Sequence, residues 1–346
     1  MIFIFKRMIL IVLTFFLTSI FPDLTVYAEP IPIDQIYLTP GGETIGIEVQ
    51  TKVIVVDSYA VKSGTKLVNP AAESGIRKGD IILNLDGRQI DSIEDVKAVL
   101  RTYKNSHKKE LTAIIRRDGQ NLKTKITPVV TDDGTISLGL YLKDHILGIG
   151  TLTFTYKDRF GALGHQIKDN SGLVDERLND EGVIKRAIVT NIVKGKKGSP
   201  GEKKATMFPK EIGIIQENTM TGIFGILKED ISHRHAMPIK AREEVRTGAA
   251  QILTVIKGDK VEAFDIEIIE VKNQPTKDIK GLKIRVVDDR LLSETGGIIQ
   301  GMSGSPIIQD GRIIGAVTHV LLNDQTTGYG VFIEFMLEDL GIEISK

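Results

Sequence analysis

From about Thr135 to Lys346 the chain is a succession of short apolar, β-branched runs broken by glycine: ILGIGTLTF, FGALGHQI, EIGIIQ, TGIFGIL and GRIIGAV. β-branched side chains favour the pleated surface of a sheet, and glycine between them permits tight turns. Helical periodicity is weak over this stretch except near Glu334–Leu340. The pattern predicts a mainly β region of one or two barrels.

The chain has 346 residues, 41% of them hydrophobic, and 45 basic side chains balance 45 acidic ones. That length leaves room for two or three domains, and the balanced charge gives no overall field toward nucleic acid or an acidic membrane. With no cysteine anywhere, disulfides, thiolate zinc clusters and a Cys nucleophile are excluded. Any enzymology must rest on Ser, Thr, His, Asp, Glu or Lys.

The N-terminus reads as an export signal. Lys6 and Arg7 precede an apolar run from Met8 to Phe21, and Val26-Tyr27-Ala28 offers small residues where a signal peptidase reads. The run is short for a bilayer-spanning helix and suits a signal peptide. An uncleaved anchor stays open, because Met1–Phe5 are largely apolar too. Residues 29–40 then read as a linker, polar, proline-containing and extended enough to be threaded into an active site.

Between Gly41 and about Val130 short strands surround one helix. Ile45–Val49 and Val53–Val56 read as two strands. Asn69 caps a short helix started by Pro70 and ended by Gly75. Asp86-Gly87 and Asp118-Gly119 are hairpin turns, and Ser92 opens a helix with Ile93, Val96, Val99 and Leu100 on one face. The string NPAAESGIRKGDIILNLDGRQIDSIEDVKAVL resembles a PDZ domain of the bacterial protease-associated type. Such domains bind a peptide as an added strand and hold its terminal carboxylate on backbone N–H groups. On the family pattern that loop is Thr44-Ile45-Gly46-Ile47, so the resemblance implies peptide binding at Ile45, Gly46 and Ile47.

The most informative stretch is GGIIQGMSGSPIIQDGRIIGAVTHVLLNDQTTGYGVFIEFML, from Gly296 onward. Its core, Gly301-Met302-Ser303-Gly304-Ser305-Pro306, has the G-x-S-G-x-P form of the nucleophile loop in chymotrypsin-like proteases. Two glycines let the backbone turn tightly, so the Ser303 hydroxyl projects outward and the N–H groups of Gly301 and Ser303 converge on one oxyanion. Asp310-Gly311 then folds the chain back as a hairpin.

A serine nucleophile needs a general base. Of the six histidines, His107 lies in a charged stretch and reads as solvated, and His145 in its KDH turn reads as structural. His233 and His235 alternate in SHRH but have no acidic ligands at a recognisable spacing, so no metal site is assigned and no cofactor is expected. His319 follows Ser303 closely and suits substrate contact or packing. His165, in FGALGH after the strand TLTFTY, is flanked by small residues and precedes the serine; it is the candidate base. Lys194–Lys204 reads as a solvated basic loop.

IGTLTFTYKDRFGALGHQI, together with the tail from Gly296, resembles the stage IV sporulation protein B serine peptidases of endospore-forming bacteria. The resemblance implies an N-terminal hydrophobic segment, a PDZ domain over 41–130 and a chymotrypsin-like double β-barrel over 135–346. It implies Ser303 as nucleophile, His165 as base and Asp288 as the acid that orients the imidazole, with Asp169 and Asp175 as competitors for that role. Met302 stands where zymogens of the chymotrypsin type carry an Asp, so activation by a freed N-terminal amine is unavailable. The family is exported between the two membranes around the forespore, processes itself, and cleaves a membrane-bound inhibitor of an intramembrane metalloprotease, which activates a late sigma factor. Its implied partners are protein substrates and peptide termini, with N-terminal membrane association and no nucleic acid. The alternative is a non-catalytic PDZ adaptor on a peptidase-like scaffold.

Overall fold

The computed structural model describes residues 29–168 and 182–345. The export-signal reading of residues 1–28 lies outside them, as do Asp169 and Asp175. None of the described helices is long and apolar enough to cross a membrane.

In chain order, the first unit uses strand β1 (Tyr37–Pro40), a long β2 (Thr44–Ser58), helix α1 (Pro70–Glu73), β3 (Ile81–Leu85), helix α2 (Ile93–Lys104), and the hairpin β4 (Leu111–Arg117) and β5 (Gln120–Ile126). The second half of β2 pairs with β3, and β3 with β4. Val53, Val55, Ile82, Val96, Leu111 and Ile115 form their common core. The local signals act as the sequence predicts. Asn69 Oδ1 accepts the Ala72 N–H, and Ser92 and Asp95 form a reciprocal capping box at the start of α2. Asp86-Gly87, Asp118-Gly119 and Asp310-Gly311 all have positive φ at both residues, the geometry a two-residue hairpin turn needs.

The peptidase region begins with β6 (Leu140–Tyr156), followed by β7 (Arg159–Ala162), β8 (Gly182–Val193), β9 (Glu202–Thr219) and β10 (Gly222–Leu227). Strands β6, β7, β10, β9 and β8 pair in that order, and β2 closes the ring between β8 and β6. Ile45, Ile47, Leu152, Phe160, Ile184 and Ile215 fill its core. The second barrel is a closed ring of β11 (Gly248–Val255), β12 (Val261–Val271), β13 (Leu282–Val286), β16 (Asp324–Phe332), β15 (Arg312–Leu321) and β14 (Pro306–Gln309). Two short helices belong to it, α3 (Asp289–Thr295) and α4 (Ile333–Asp339). The fold is therefore mainly β, with a PDZ unit and two chymotrypsin-like barrels.

Three expectations need correction. The two strands predicted at Ile45–Val49 and Val53–Val56 are one strand, because QTK between them holds no turn-forming residue. That strand serves both units. Ile45, Gly46 and Ile47 consequently lie inside the first barrel, where Gly46 pairs with Ile149 on one side and Lys185 on the other. Both backbone edges are consumed, so no peptide can add there. A Cβ on Gly46 would meet Met207 Sδ at 2.4 Å, which is why glycine is needed. Thirdly, the segment expected as a linker is woven into the peptidase. Ile31 and Pro32 pair with Ile344 and Ser345, β1 pairs with β6, and Ile36 and Leu38 are fully buried.

Candidate active site

The nucleophile loop is shaped by its own hydrogen bonds. Met302 N–H donates to Ile299 O (3.1 Å), Ser305 N–H to Met302 O (2.9 Å) and Gly304 N–H to Val317 O (2.8 Å). Gly301 and Gly304 stand at φ 92° and 91°, a region that side chains with a Cβ avoid. Gly304 is tightly confined as well, since a Cβ there would lie 2.1 Å from Thr151 O.

Strand β6 clamps this loop from beneath. Thr151 donates its N–H to Ser303 O (3.0 Å) and its hydroxyl to Gly301 O (2.7 Å), while the Thr153 hydroxyl donates to Gly304 O (2.8 Å). Both threonines are fully buried, and their alternation along the strand turns both hydroxyls toward one face. Sequence reasoning saw only a strand in TLTFTY; the two threonines are functional residues it missed.

The loop also presets its amides. Gln300 O is held by Lys203 N–H (2.9 Å) and Met302 O by Ser305 N–H. Across a planar trans peptide the next N–H points the opposite way. The Gly301 and Ser303 N–H groups are therefore turned from those partners and donate to nothing among the described residues. Two free backbone donors beside a serine are groups of the kind that can hold an oxyanion. Lys203 corrects another expectation: it is buried under Gly301 rather than solvated, with Nζ donating to Thr254 Oγ1 (2.8 Å), and burial pushes its pKa down to about 7.

His165 reaches the loop from the first barrel. Leu163 and Gly164 both have positive φ (73° and 71°), so the chain turns sharply after β7. At Gly164 a Cβ would lie 3.1 Å from both Thr318 Cγ2 and Val317 O; the small residue lets the two barrels approach. The ring of His165 donates Nδ1–H to Gln166 O (3.0 Å), because a carbonyl can only accept. Nε2 is thereby left with a lone pair. Burial holds the imidazole pKa below its usual value, with the Gln166 carbonyl opposing and Lys168 reinforcing the shift. His319, on β15, has its ring centroid 4.9 Å from that of His165. Although much of it stays open to solvent, its packed face, followed by His165, Lys280 and Lys168, pushes its pKa down to about 4.

Ser303 and His165 line one cavity of about 810 Å³, together with Gly301, Leu163, Thr318 and His319. The Ser303 hydroxyl donates to Thr318 O (2.9 Å) rather than to His165, whose Nδ1 meets Gln166 O. Asp288 is not brought to the site. Its Oδ1 accepts the Leu291 N–H (2.9 Å) as N-cap of α3, and its Oδ2 faces the Asp265 N–H (3.4 Å). The residue that the family resemblance implied as the acid is a helix N-cap. His145 lies within β6, not in a turn, with Nδ1 2.8 Å from Asp144 Oδ1.

A family model described as SpoIVB peptidase S55 matches residues 134–337, and a PDZ domain model matches residues 43–128. Among solved structures, the active form of the Rv3671c protease from M. tuberculosis is 17% identical over 58% of this chain and 76% of its own, with a TM-score of 0.35. The inactive form of Rv3671c protease is 16% identical over 57% and 85%, with a TM-score of 0.33. No curated protein matches the chain.

Proposed function

The chain belongs to the SpoIVB peptidase S55 family, and on that premise we propose that this serine peptidase is an exported endopeptidase of sporulation. In this reading it trims itself and then cleaves a membrane-bound inhibitor of an intramembrane protease. It acts in the space between forespore and mother-cell membranes, upstream of a late sigma factor. The observation that carries the peptidase chemistry is the nucleophile loop, with free Gly301 and Ser303 N–H groups beside a histidine whose Nε2 is unprotonated. The family supports the signalling role.

The residues divide the reaction between them. Ser303 Oγ leaves Thr318 O and attacks the scissile carbonyl, while His165 Nε2 takes its proton. The two N–H groups hold the oxyanion, and the imidazolium returns the proton to the leaving amine. Water, deprotonated by the same nitrogen, then releases the acyl group. Self-cleavage is placed before Ile31, because Ile31 and Pro32 pair with the C-terminal strand and Ile36 and Leu38 are buried in the peptidase.

The peptide partner of the PDZ unit is assigned to β6 rather than β2. From Leu140 to Gly150, β6 pairs with one strand, β2, among the described residues. Half-buried Leu140 and Leu142 face the same core as Ile93, Leu100 and Tyr103 of α2. A free strand edge beside an apolar helix suits β-augmentation.

Purified protein and its Ser303→Ala variant, each mixed with candidate membrane substrate and mapped for new N-termini, test the reading. Cleavage by the first alone supports it. Cleavage by both, or by neither, favours the adaptor alternative, which the Ser303–Thr318 contact also fits.

A further inference from the structure

The cleft around Ser303 has an uneven charge. It is lined by Lys168, His165 and His319, and among the described residues no carboxylate lines it. Lys280 follows Ile279, itself a lining residue of the cleft, and it and Lys168 both lower the His319 pKa, with no acid among the described residues opposing them. This contrasts with the rest of the molecule, where Lys185 meets Glu48, Lys240 meets Asp310 and Lys277 meets Asp339. Neither Lys168 nor Lys280 pairs with a carboxylate among the described residues, and both are exposed. Lys280 instead rests over the Tyr329 ring, 5.4 Å from its centroid. Two cations with no carboxylate partner among the described residues, beside a reactive cleft, attract an oppositely charged ligand.

The backbone beside them is also open. Pairing of β15 with β16 skips from Val317 to Val320, and pairing with β14 ends at Ala316. The Thr318–His319 segment thus offers a strand edge next to Ser303, along which an extended substrate can lie. Alternate substrate side chains would then face the cationic wall and the apolar wall of Ile146, Ile149, Ile298 and Ile299.

We propose that the substrate carries an aspartate or glutamate within a few residues of the scissile bond, seated among Lys168, Lys280 and His319. This rests on the peptidase reading and names the substrate chemistry of that same site. The imidazole of His319 donates to the bound carboxylate, and the two ammonium groups supply the charge.

The test uses the full chain, a peptide library in which each Asp or Glu has an Asn or Gln counterpart, and the Lys168→Glu/Lys280→Glu double variant. Cleaved bonds are identified by mass spectrometry, and fluorophosphonate labelling of Ser303 is measured in parallel. Exposed ion pairs each contribute modestly, so the acidic member of a pair should be cleaved roughly three- to tenfold faster, less so at high salt. In the double variant the preference should move to Lys or Arg. Labelled enzyme that cleaves acid and amide members equally, or a preference unchanged by the double variant, overturns this inference alone. A wild-type chain that neither labels nor cleaves overturns the peptidase reading with it.

Discussion

His165 donates Nδ1–H to a backbone carbonyl rather than to a described carboxylate, and this fixes what its titration should look like. A base works only when neutral, and burial lowers the pKa from the ordinary 6.5. Lowering a histidine pKa extends the neutral form toward acid. The acidic limb of kcat/KM against pH should therefore have its midpoint below 6.5; a midpoint above it contradicts the stated environment. Asp288 makes the opposite case. Asn caps a helix as well as Asp does, so Asp288→Asn should keep both the melting temperature and kcat. A loss of kcat approaching 10⁴-fold, the size seen when a triad acid loses its charge, would return Asp288 to catalysis. At this scale the sequence was legible wherever chemistry is local. GMSGSP announces its own turn, and small residues around His165 announce a close approach. Asp288 misled because a helix N-cap and a catalytic acid use the same side chain, and only the fold tells which N–H groups lie in front of it.

Strand β6 carries much of the site although it contributes neither nucleophile nor base. Thr151 and Thr153 grip carbonyls of a loop some 150 positions away in the chain, and no local pattern in TLTFTY could reveal that. Thr151→Val keeps the shape and removes the hydroxyl, leaving Gly301 O buried without that donor. The cost of such a group is about 1–3 kcal/mol. We expect it to be shared between a lower melting temperature and a lower kcat, with KM little changed. A variant that matches the parent in both would deny the clamp. Strand β2 shows how an element can be misread through its neighbours. TIGI looks like a carboxylate-binding loop, yet the residues after it contain no Gly, Pro, Asn or Asp until Asp57. An uninterrupted β-former run extends rather than turns, so the strand passes from one unit into the next.

At the scale of the whole molecule, β2 and β6 pair along nearly their full lengths and tie the PDZ unit to the first barrel. The sequence shows the order of the units, because each has its own motif. It hides their interlock, because pairing partners nearly a hundred residues apart leave no trace in periodicity. A fragment of residues 135–346 lacks β1 and β2. It would leave β6 and β8 with unpaired edges and the first barrel without Ile45, Ile47 and Val49. Such a fragment should show no cooperative melt by circular dichroism, whereas residues 29–346 should; a folded, active fragment would show the units to be separable. The central claim, that Ser303 is a nucleophile activated by His165 in a preset oxyanion loop, is tested most directly by fluorophosphonate labelling read as intact mass with the adduct mapped. The account predicts one adduct, on Ser303, forming at least about a hundredfold more slowly in His165→Ala. No adduct on Ser303, or an equal rate in the variant, would contradict it.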